Sequence, residues 1–285
     1  MIEFWIADLK CNETEFAVPA SVGTWEFHRR DDYLAILLKI QDGQCAATYY
    51  AYNESLTHST WLTSDHDFSA VTGELIDACL VLSFIEATCV TPSGTTPQSD
   101  VMFLQLGDSF VRPRAIAGFP ALSLNQTRNE IFSGWLSRVG PTFQSRRLRL
   151  FISHWISGLT CFSLEDLFLS VGVQMDIIKQ CEIAATGKKL TYYDGMLSAS
   201  SRFSLSPLTD DYKNMRNDIV HEGVLSGSNF GGKDKRQCAE VVAASLNWID
   251  KYVCALLGLS TSASAMPRWK AMHIEAGLPA LSLYA

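Results

Sequence analysis

The hydrophobic pattern of this chain changes near residue 120. Before that point, short runs rich in aromatic and β-favouring side chains are separated by proline, glycine and aspartate, which is typical of strands joined by turns. After it, apolar residues recur at the spacing of a buried helix face over long segments. The sequence therefore predicts an α+β protein, with a mixed strand and helix domain over residues 1–120 and an all-α helical bundle over residues 121–285.

The first domain is expected to contain mainly short strands. Its apolar and aromatic runs predict strands over residues 4–7, 25–27, 33–40, 45–52 and 101–106. The dipeptide Asp42-Gly43 between two of these runs favours a hairpin turn. Apolar residues at helical spacing predict one helix over residues 69–89, and the segment 92–97, which contains prolines and a glycine, is expected to be a loop.

The second domain is expected to be helical throughout. Amphipathic segments predict helices over residues 125–139, 143–156, 163 to about 184, 206–223 and 236–257. Ser163 and Ser206 are suited to cap two of these helices, and Pro207 suits the first turn of the second one. Gly223 is suited to the left-handed position that ends a helix.

Composition excludes several classes of protein. The chain is 47% hydrophobic and 19% charged, which is typical of a globular protein. The first residues lack the features of a signal peptide, and the most apolar stretch, residues 78–85, is too short to cross a bilayer, so we expect a cytoplasmic protein with no membrane partner. The cysteines and histidines are scattered without metal-ligand spacing, so we expect reduced core cysteines, no metal and no other cofactor.

Charge is distributed unevenly along the chain. Residues 1–111 carry 16 acidic and 4 basic side chains, whereas residues 112–285 carry 14 acidic and 19 basic ones. The net charge of −7 therefore conceals a strongly acidic first part and a mildly basic second part. This asymmetry favours a polyanionic partner for the second part alone.

The most informative motif, RNDIVHEG over residues 216–223, ends one of the predicted helices. Arginine can hold a phosphate in a planar fork, and histidine is the side chain whose ordinary pKa suits proton transfer near neutral pH. Asn217 shares a helix face with His221 and can orient it or hold a phosphate. Arg216 leaves the helix about 140° away from His221, so it must reach round the helix or act with a second copy of the chain. The motif predicts metal-free phosphodiester chemistry.

These residues resemble the HEPN family, in particular its ApeA-like branch from prokaryotic defence systems. The resemblance rests on Arg216, Asn217 and His221 in the form Arg-Asn-x3-His-x-Gly, preceded by Tyr212, and it extends over the helical frame of residues 143–257. It implies a helical bundle, usually dimeric, in which paired Arg-x4-6-His motifs meet at the dimer interface. Many members of the family are metal-independent endoribonucleases.

The resemblance implies an endoribonuclease of a defence or toxin type, such as those of antiviral defence and abortive infection. Its reaction would be attack of the RNA 2′-hydroxyl on the adjacent phosphorus, which leaves a 2′,3′-cyclic phosphate and a 5′-hydroxyl. His221 would transfer a proton, Arg216 would stabilise the phosphorane oxygens, and Asn217 would orient His221 or hold the phosphate. The implied partners are RNA, a second copy of the chain and an antitoxin or regulatory protein, with a sensing or regulatory role for the first domain.

Basic side chains in the second domain are candidates for contact with the RNA backbone, because phosphate neutralisation supplies most sequence-independent affinity. They are Arg146, Arg147, Lys233, Lys235 and Arg236. A solvated helix face and a flexible loop explain the same residues equally well. A second Arg-x4-His match, Arg149 and His154, lies in an apolar stretch without the following asparagine or the closing glycine. His154 is therefore interpreted as a structural residue of the core or an interface, with its hydrogen bonds satisfied.

Two other functions are compatible with the sequence. The chain could be a non-catalytic HEPN-like module that binds RNA or a nucleotide, or that pairs with a toxin partner. It could also be a structural interaction protein whose acidic first domain carries the function. Cleavage assayed in the presence of EDTA distinguishes these functions, because only a metal-independent nuclease yields cyclic-phosphate products.

Overall fold

The computed structural model describes residues 3–41, 47–55, 65–96, 121–261 and 267–283. The chain is a mixed α+β protein in which an antiparallel five-stranded sheet is followed by a helical region, as the sequence predicts. The described residues divide into two compact units, here called the sheet unit, which ends at Pro141, and the helical unit, which begins at Thr142. The sequence places this division at residue 120, but residues 121–141 belong to the sheet unit.

The strands of the sheet unit lie in the order β2-β3-β4-β1-β5, and all neighbours are antiparallel. Their bounds are β1 Glu3–Ala7, β2 Glu15–Pro19, β3 Thr24–Arg29, β4 Ala47–Asn53 and β5 Thr91–Thr96. Alternate side chains point into the core, as in β3, where Trp25 and Phe27 are fully buried. Phe16 of β2 stacks on Phe27 with ring centroids 4.6 Å apart and also on Phe132 at 6.1 Å. The core of this unit is therefore largely aromatic.

The first helix, α1, spans Tyr33–Gln41, where the sequence predicts a strand over residues 33–40. That prediction is wrong because a short apolar run of this kind suits either a strand or a helix, and its packing decides between them. Tyr33 and Ile36 are both buried, three residues apart, which is a helical repeat and not the alternation of a strand. The hairpin predicted at Asp42-Gly43 thus lacks its first strand, and those two residues lie outside the described ranges.

The segment predicted as a loop over residues 92–97 contains strand β5 instead. This strand lies at the edge of the described sheet, where Pro92 is tolerated because an edge strand need not donate on its open side. The sequence misses β2, whose five residues end in proline. The strands predicted over residues 4–7 and 25–27 are confirmed in β1 and β3, and β4 confirms the one predicted over residues 45–52 from Ala47 onward. The strand predicted over residues 101–106 lies outside the described ranges.

The next helices in the chain are α2 Asp65–Glu86, α3 Arg128–Phe132 and α4 Trp135–Ser145. The first of them confirms the helix predicted over residues 69–89 as far as Glu86. The single helix predicted over residues 125–139 is divided into α3 and α4 by Gly134, which has a left-handed φ of 69°. Helix α3 is attached to the sheet, because Asn129 Oδ1 accepts a hydrogen bond from the backbone N–H of Ala17 at 2.8 Å.

The helical unit is built mainly from longer helices. After α4 these are α5 Leu148–Gly158, α6 Leu164–Thr186, α7 Tyr192–Arg202, α8 Asp210–His221, α9 Lys235–Leu257 and α10 Ala271–Gly277, followed by a 3-10 turn over Leu281–Leu283. The last long helix, predicted over residues 236–257, is confirmed as α9, which buries Trp248 and Tyr252. Ser163 caps α6 as predicted, since its hydroxyl accepts from the backbone N–H of Asp166.

A left-handed residue and a buried ion pair define the course of the chain in this unit. Residues 143–156, predicted as one helix, are divided between α4 and α5 at Arg147, whose φ of 52° is left-handed. After α9 the chain returns to pack on that helix through a buried ion pair between Arg268 and Asp250 at 2.6 Å. The indole N–H of Trp269 donates to the same carboxylate at 2.7 Å. These bonds attach the C-terminal segment to the bundle.

The cysteines in the described ranges are buried, as the sequence predicts for core residues, and no disulfide joins any two of them. They are Cys11, Cys79, Cys89, Cys161, Cys181, Cys238 and Cys254. Burial raises the pKa of the Cys161 thiol to about 11, so this thiol is neutral at physiological pH. Over the same ranges, no helix has the length and apolar character needed to cross a membrane, and no group of three or more potential ligand side chains could hold a metal ion.

Candidate functional site

Helix α8 carries the motif of residues 216–223 at its C-terminal end. Its N-cap is Thr209, not Ser206, so the helix begins later than the sequence predicts, and Pro207 lies outside it. It ends at His221, and Gly223 has the left-handed φ of 76° that suits a glycine just beyond a helix. The C-terminal boundary predicted from the sequence is therefore confirmed.

The side chains of α8 separate into a buried and an accessible face. Tyr212 and Met215 are buried and pack the helix against the bundle. Arg216 and Asn217 are half-buried, whereas His221 is exposed. The imidazole is therefore open to solvent and within reach of a substrate.

Tyr192, the first residue of α7, contacts two of the motif side chains. The guanidinium carbon of Arg216 lies 4.2 Å from the centroid of the Tyr192 ring, which is a cation–π contact. The Tyr192 hydroxyl lies 3.2 Å from Asn217 Oδ1 and 3.3 Å from the backbone carbonyl of Lys213, and its single proton is shared between these two acceptors. Burial raises the pKa of Tyr192 and Arg216 offsets this only in part, so the hydroxyl keeps its proton at neutral pH and remains a donor.

The neighbouring Tyr193 joins the same two helices near the other end of α8. Its hydroxyl lies 3.2 Å from both the backbone carbonyl of Leu208 and Asp210 Oδ1. Lys213 Nζ lies 5.6 Å from the centroid of the Tyr193 ring. Of the two tyrosines, Tyr192 is therefore the one that contacts Arg216 and Asn217. The sequence shows the pair only as aromatic residues after two lysines, without a spacing that would connect them to the motif.

Asp218, the residue after Asn217, is fully buried and anchors the loop that follows the helix. Its carboxylate accepts from the backbone N–H groups of Gly227, Asn229 and Phe230 at 2.7–3.0 Å and from the Asn229 side-chain amide at 2.6 Å. Burial alone would raise the pKa of Asp218, but these hydrogen bonds outweigh it and lower that pKa below its ordinary value. The residue is thus an ionised acceptor at neutral pH.

Glu222 attaches the same loop from the end of α8. Its carboxylate accepts from the backbone N–H of Ser228 at 3.0 Å and from the Ser228 hydroxyl. Gly227 passes so close that an added Cβ would lie 2.2 Å from Glu222 Oε2 and 3.0 Å from Asp218 Cγ. The loop is therefore closely packed against the helix end that bears His221. Nothing in the spacing of these residues along the sequence indicates that Asp218 and Glu222 hold this loop.

Arg146, a predicted RNA contact, instead belongs to a buried ion pair. Its Nη1 lies 2.6 Å from Glu182 Oε1, and the Glu182 side chain is fully buried. Arg202 and Ser198 also donate to this carboxylate, at 3.1 and 2.7 Å. Their hydrogen bonds and those of Arg146 outweigh burial and lower the pKa of Glu182. We therefore interpret Arg146 as a structural residue that links the turn between α4 and α5 to α6 and α7.

The other predicted RNA contacts differ in their environments. Arg147 is exposed, and Lys235 is half-exposed at the start of α9. Lys233 is also half-exposed, and its Nζ lies 5.7 Å from the centroid of the Phe230 ring. Arg236 is paired with Glu240 and Glu275, each at 3.1 Å, so its charge is largely neutralised locally. Arg147, Lys233 and Lys235 therefore remain the better candidates for phosphate contacts.

The second Arg-x4-His match has a different setting. His154 lies within α5 and is half-buried, and its Nε2 is buried without a hydrogen-bond partner in the described structure. Burial lowers the pKa of His154, which favours the neutral imidazole. The partial burial fits a core or interface residue, but the buried Nε2 contradicts the expectation that this histidine is satisfied by hydrogen bonds.

The chain matches no protein-family model, no curated protein and no solved structure. The geometry of α7, α8 and the following loop is therefore what defines the site: an exposed imidazole, and a guanidinium and a carboxamide that share one tyrosine.

Proposed function

We propose that this chain is a metal-independent endoribonuclease of a defence or toxin type, as the resemblance to the HEPN family implies. The observation that carries the proposal is the grouping at the end of α8. Arg216 and Asn217 are both held by Tyr192, and His221 is exposed on the same face as Asn217. These are the functional groups that RNA cleavage without a metal requires.

The proposed reaction is a transesterification within the RNA. The 2′-oxygen attacks the adjacent phosphorus as its proton passes to a base, the bond from phosphorus to the 5′-oxygen breaks, and the leaving oxygen receives a proton. The products are a 2′,3′-cyclic phosphate and a 5′-hydroxyl. His221 transfers a proton, an effect typically worth ~10²–10⁴-fold in rate. Arg216 stabilises the charge on the phosphorane oxygens, and Asn217 donates to a phosphate oxygen or to the imidazole.

A homodimer through the helical unit is part of the proposal. Arg216 and His221 leave α8 about 140° apart, so two copies of the helix that face each other would supply both groups to one phosphate more readily than a single copy. Apolar side chains exposed on α6 and α8 support such a contact: Leu169 and Val173, one helical turn apart, and Val220 beside His221 are 44%, 46% and 47% exposed. In the dimer one imidazole would serve as base and the other as acid.

The sheet unit is proposed to sense or regulate, alone or with an antitoxin or other regulatory protein. It contains an open cavity of about 600 Å³, lined by the charged residues Lys10, Glu13, Glu86 and Arg128 and by the segment 121–127. The Arg128 guanidinium is paired there with Glu86, so a ligand would meet a preformed polar wall.

A second candidate function is a non-catalytic module that binds RNA or a nucleotide. It is favoured by the two cation–π pairs at the α7–α8 contact, Arg216 with Tyr192 and Lys213 with Tyr193, because cationic and aromatic side chains together also bind single strands without cleaving them.

The experiment that separates the two functions is incubation of the purified chain with end-labelled RNA in EDTA, followed by analysis of the product ends. The nuclease predicts 2′,3′-cyclic phosphate and 5′-hydroxyl ends, and no cleavage at a position where the 2′-hydroxyl is replaced by hydrogen. Retention of intact RNA would support the binding module, and 3′-hydroxyl ends would contradict the proposed chemistry.

A further inference from the structure

We propose that Tyr192 is a positioning residue of this site, which orients the Arg216 guanidinium with its ring and the Asn217 amide with its hydroxyl. The inference rests on the proposed endoribonuclease function. It adds to the site a residue from another helix, which lies outside the Arg-Asn-x3-His motif.

The contacts of Tyr192 bring together two side chains that α8 alone would separate. Arg216 and Asn217 are consecutive, so they leave the helix about 100° apart. The Tyr192 side chain contacts both of them, with the guanidinium 4.2 Å from its ring centroid and Asn217 Oδ1 3.2 Å from its hydroxyl. The same hydroxyl lies 3.3 Å from the Lys213 carbonyl, one turn before Asn217 on α8. Arg216 and Asn217 are thus both held against α7, and His221 follows Asn217 one turn later on α8.

The Tyr192 hydroxyl also holds one end of the Asn217 amide. With Oδ1 turned toward that hydroxyl, the NH2 group is the end that can donate to a phosphate oxygen or to His221. Without the hydroxyl, the amide could turn and present its acceptor to an anionic phosphate. Arg216 likewise has many rotamers, and the ring restricts the guanidinium to those that lie over its face.

Tyr192 is itself held in place by other aromatic rings. Its centroid lies 6.5 Å from that of Tyr193 and 6.3 Å from that of Tyr212, both in edge-on contacts. Tyr212 is almost completely buried and in turn contacts Phe168 of α6, at 5.7 Å. The ring under Arg216 is therefore continuous with the core, which is the kind of rigid support that a catalytic group requires.

Tyr193 provides a matched control within the same helix. Its hydroxyl also lies within hydrogen-bonding distance of Asp210 of α8 and of Leu208 just before that helix, and its ring also lies beside a cation, Lys213. Loss of this hydroxyl removes a comparable link between α7 and α8 without removing a contact to Arg216 or Asn217. A difference between the two phenylalanine variants therefore reports positioning and not helix packing.

The test compares single-turnover and steady-state cleavage of one RNA in EDTA. Tyr192→Phe keeps the ring but loses the hydroxyl, and kcat should fall about tenfold with KM unchanged. Tyr192→Leu loses both contacts, and kcat should fall about a hundredfold, as is typical of a misplaced catalytic group. Tyr193→Phe should keep the wild-type kcat. The double variant Tyr192→Phe with Asn217→Ala should be no slower than Asn217→Ala alone, since both changes remove the same hydrogen bond.

The possible failures are distinct. If the wild-type chain does not cleave RNA, the endoribonuclease proposal fails and the role of Tyr192 fails with it. If the wild-type chain cleaves RNA but Tyr192→Phe has its full kcat, or loses no more than Tyr193→Phe does, only the positioning role is overturned. Multiplicative losses in the double variant would also overturn it, because they would mean that Tyr192 and Asn217 act independently.

Discussion

Replacement of Asp218 by asparagine should destabilise the protein although the two side chains have almost the same shape. Each carboxylate oxygen of Asp218 accepts two hydrogen bonds, Oδ1 from Asn229 and Oδ2 from Gly227 and Phe230. In Asp218→Asn one of these oxygens becomes an NH2 group that faces N–H donors. Two of the four bonds are lost with it, and the remaining pair loses its charge.

The expected loss of unfolding free energy follows from how deeply Asp218 and its hydrogen-bond donors are buried. Asp218 is 0% exposed, and a hydrogen bond to a charged group is worth about 1.5–3 kcal/mol. Gly227 and Asn229 are partly exposed, so their N–H groups can form hydrogen bonds with water instead, and only part of the value of their bonds is lost. Phe230 is buried, so its N–H has no such replacement. We therefore expect the free energy of unfolding to fall by about 2–4 kcal/mol.

The assay is urea unfolding followed by tryptophan fluorescence, with Asp211→Asn as the control. Asp211 is an exposed residue in the first turn of α8, so its substitution should cost only about 0.3–1 kcal/mol through the helix dipole. An unfolding free energy for Asp218→Asn within about 0.5 kcal/mol of the control would refute the anchoring role of Asp218.

The same variant has a predictable dependence on pH. The pKa of Asp218 is lowered in the folded state, whereas an unfolded aspartate titrates near ~3.9. A depressed carboxyl pKa stabilises the native state above the unfolded value, and this contribution is lost as pH falls through the folded value. The difference between the wild type and Asp218→Asn should therefore be complete at neutral pH and shrink below pH ~4. A stability difference between the wild type and Asp218→Asn that grows as the pH falls would contradict the predicted direction of this pH dependence.

Three further experiments test other contacts. Gly227→Ala should lower the unfolding free energy by about 1–3 kcal/mol, because the new Cβ would displace the Glu222 carboxylate from Ser228 and lie 3.0 Å from Cγ of the buried Asp218; unchanged stability would mean that Glu222 contributes nothing to holding the loop. Glu182→Gln should cost about 3–5 kcal/mol in the same assay, since it leaves the largely buried Arg146 without its counter-charge, and a cost below about 1 kcal/mol would contradict this. In RNA-binding titrations, Lys233→Ala should reduce the salt slope by about 1, whereas Arg236→Ala, already paired with two carboxylates, should change it less; the reverse order would reject our choice of phosphate contacts.

The elements that the sequence predicts correctly are those whose local signals agree with their tertiary setting. Helix α9 has sustained apolar spacing, and α8 ends where Gly223 adopts a left-handed φ. Helix α1 could not be predicted, because its leucine-rich run suits either a strand or a helix and only its packing decides. Strand β5 was not predicted, because its proline and glycine are tolerated at a sheet edge but are typical of loops.

The residues of the candidate site also divide into those that the sequence predicts and those that only the structure reveals. Arg216, Asn217 and His221 are detectable because they are close together in the sequence and their spacing on a helix has a chemical meaning. Tyr192 could not be connected to them, since it lies on another helix and meets Asn217 only through folding. The burial of Asp218 was equally hidden, because its partners lie in a loop whose path no local pattern specifies.

The most direct test of the proposed mechanism is the cleavage rate of His221→Ala in EDTA, measured beside His273→Ala, which removes another exposed histidine of the helical unit. Both variants should elute as the same oligomer as the wild type. We predict that His221→Ala loses cleavage by at least ~10²-fold, while His273→Ala keeps the wild-type rate. A wild-type rate in His221→Ala would contradict the account, because proton transfer would then depend on some other group.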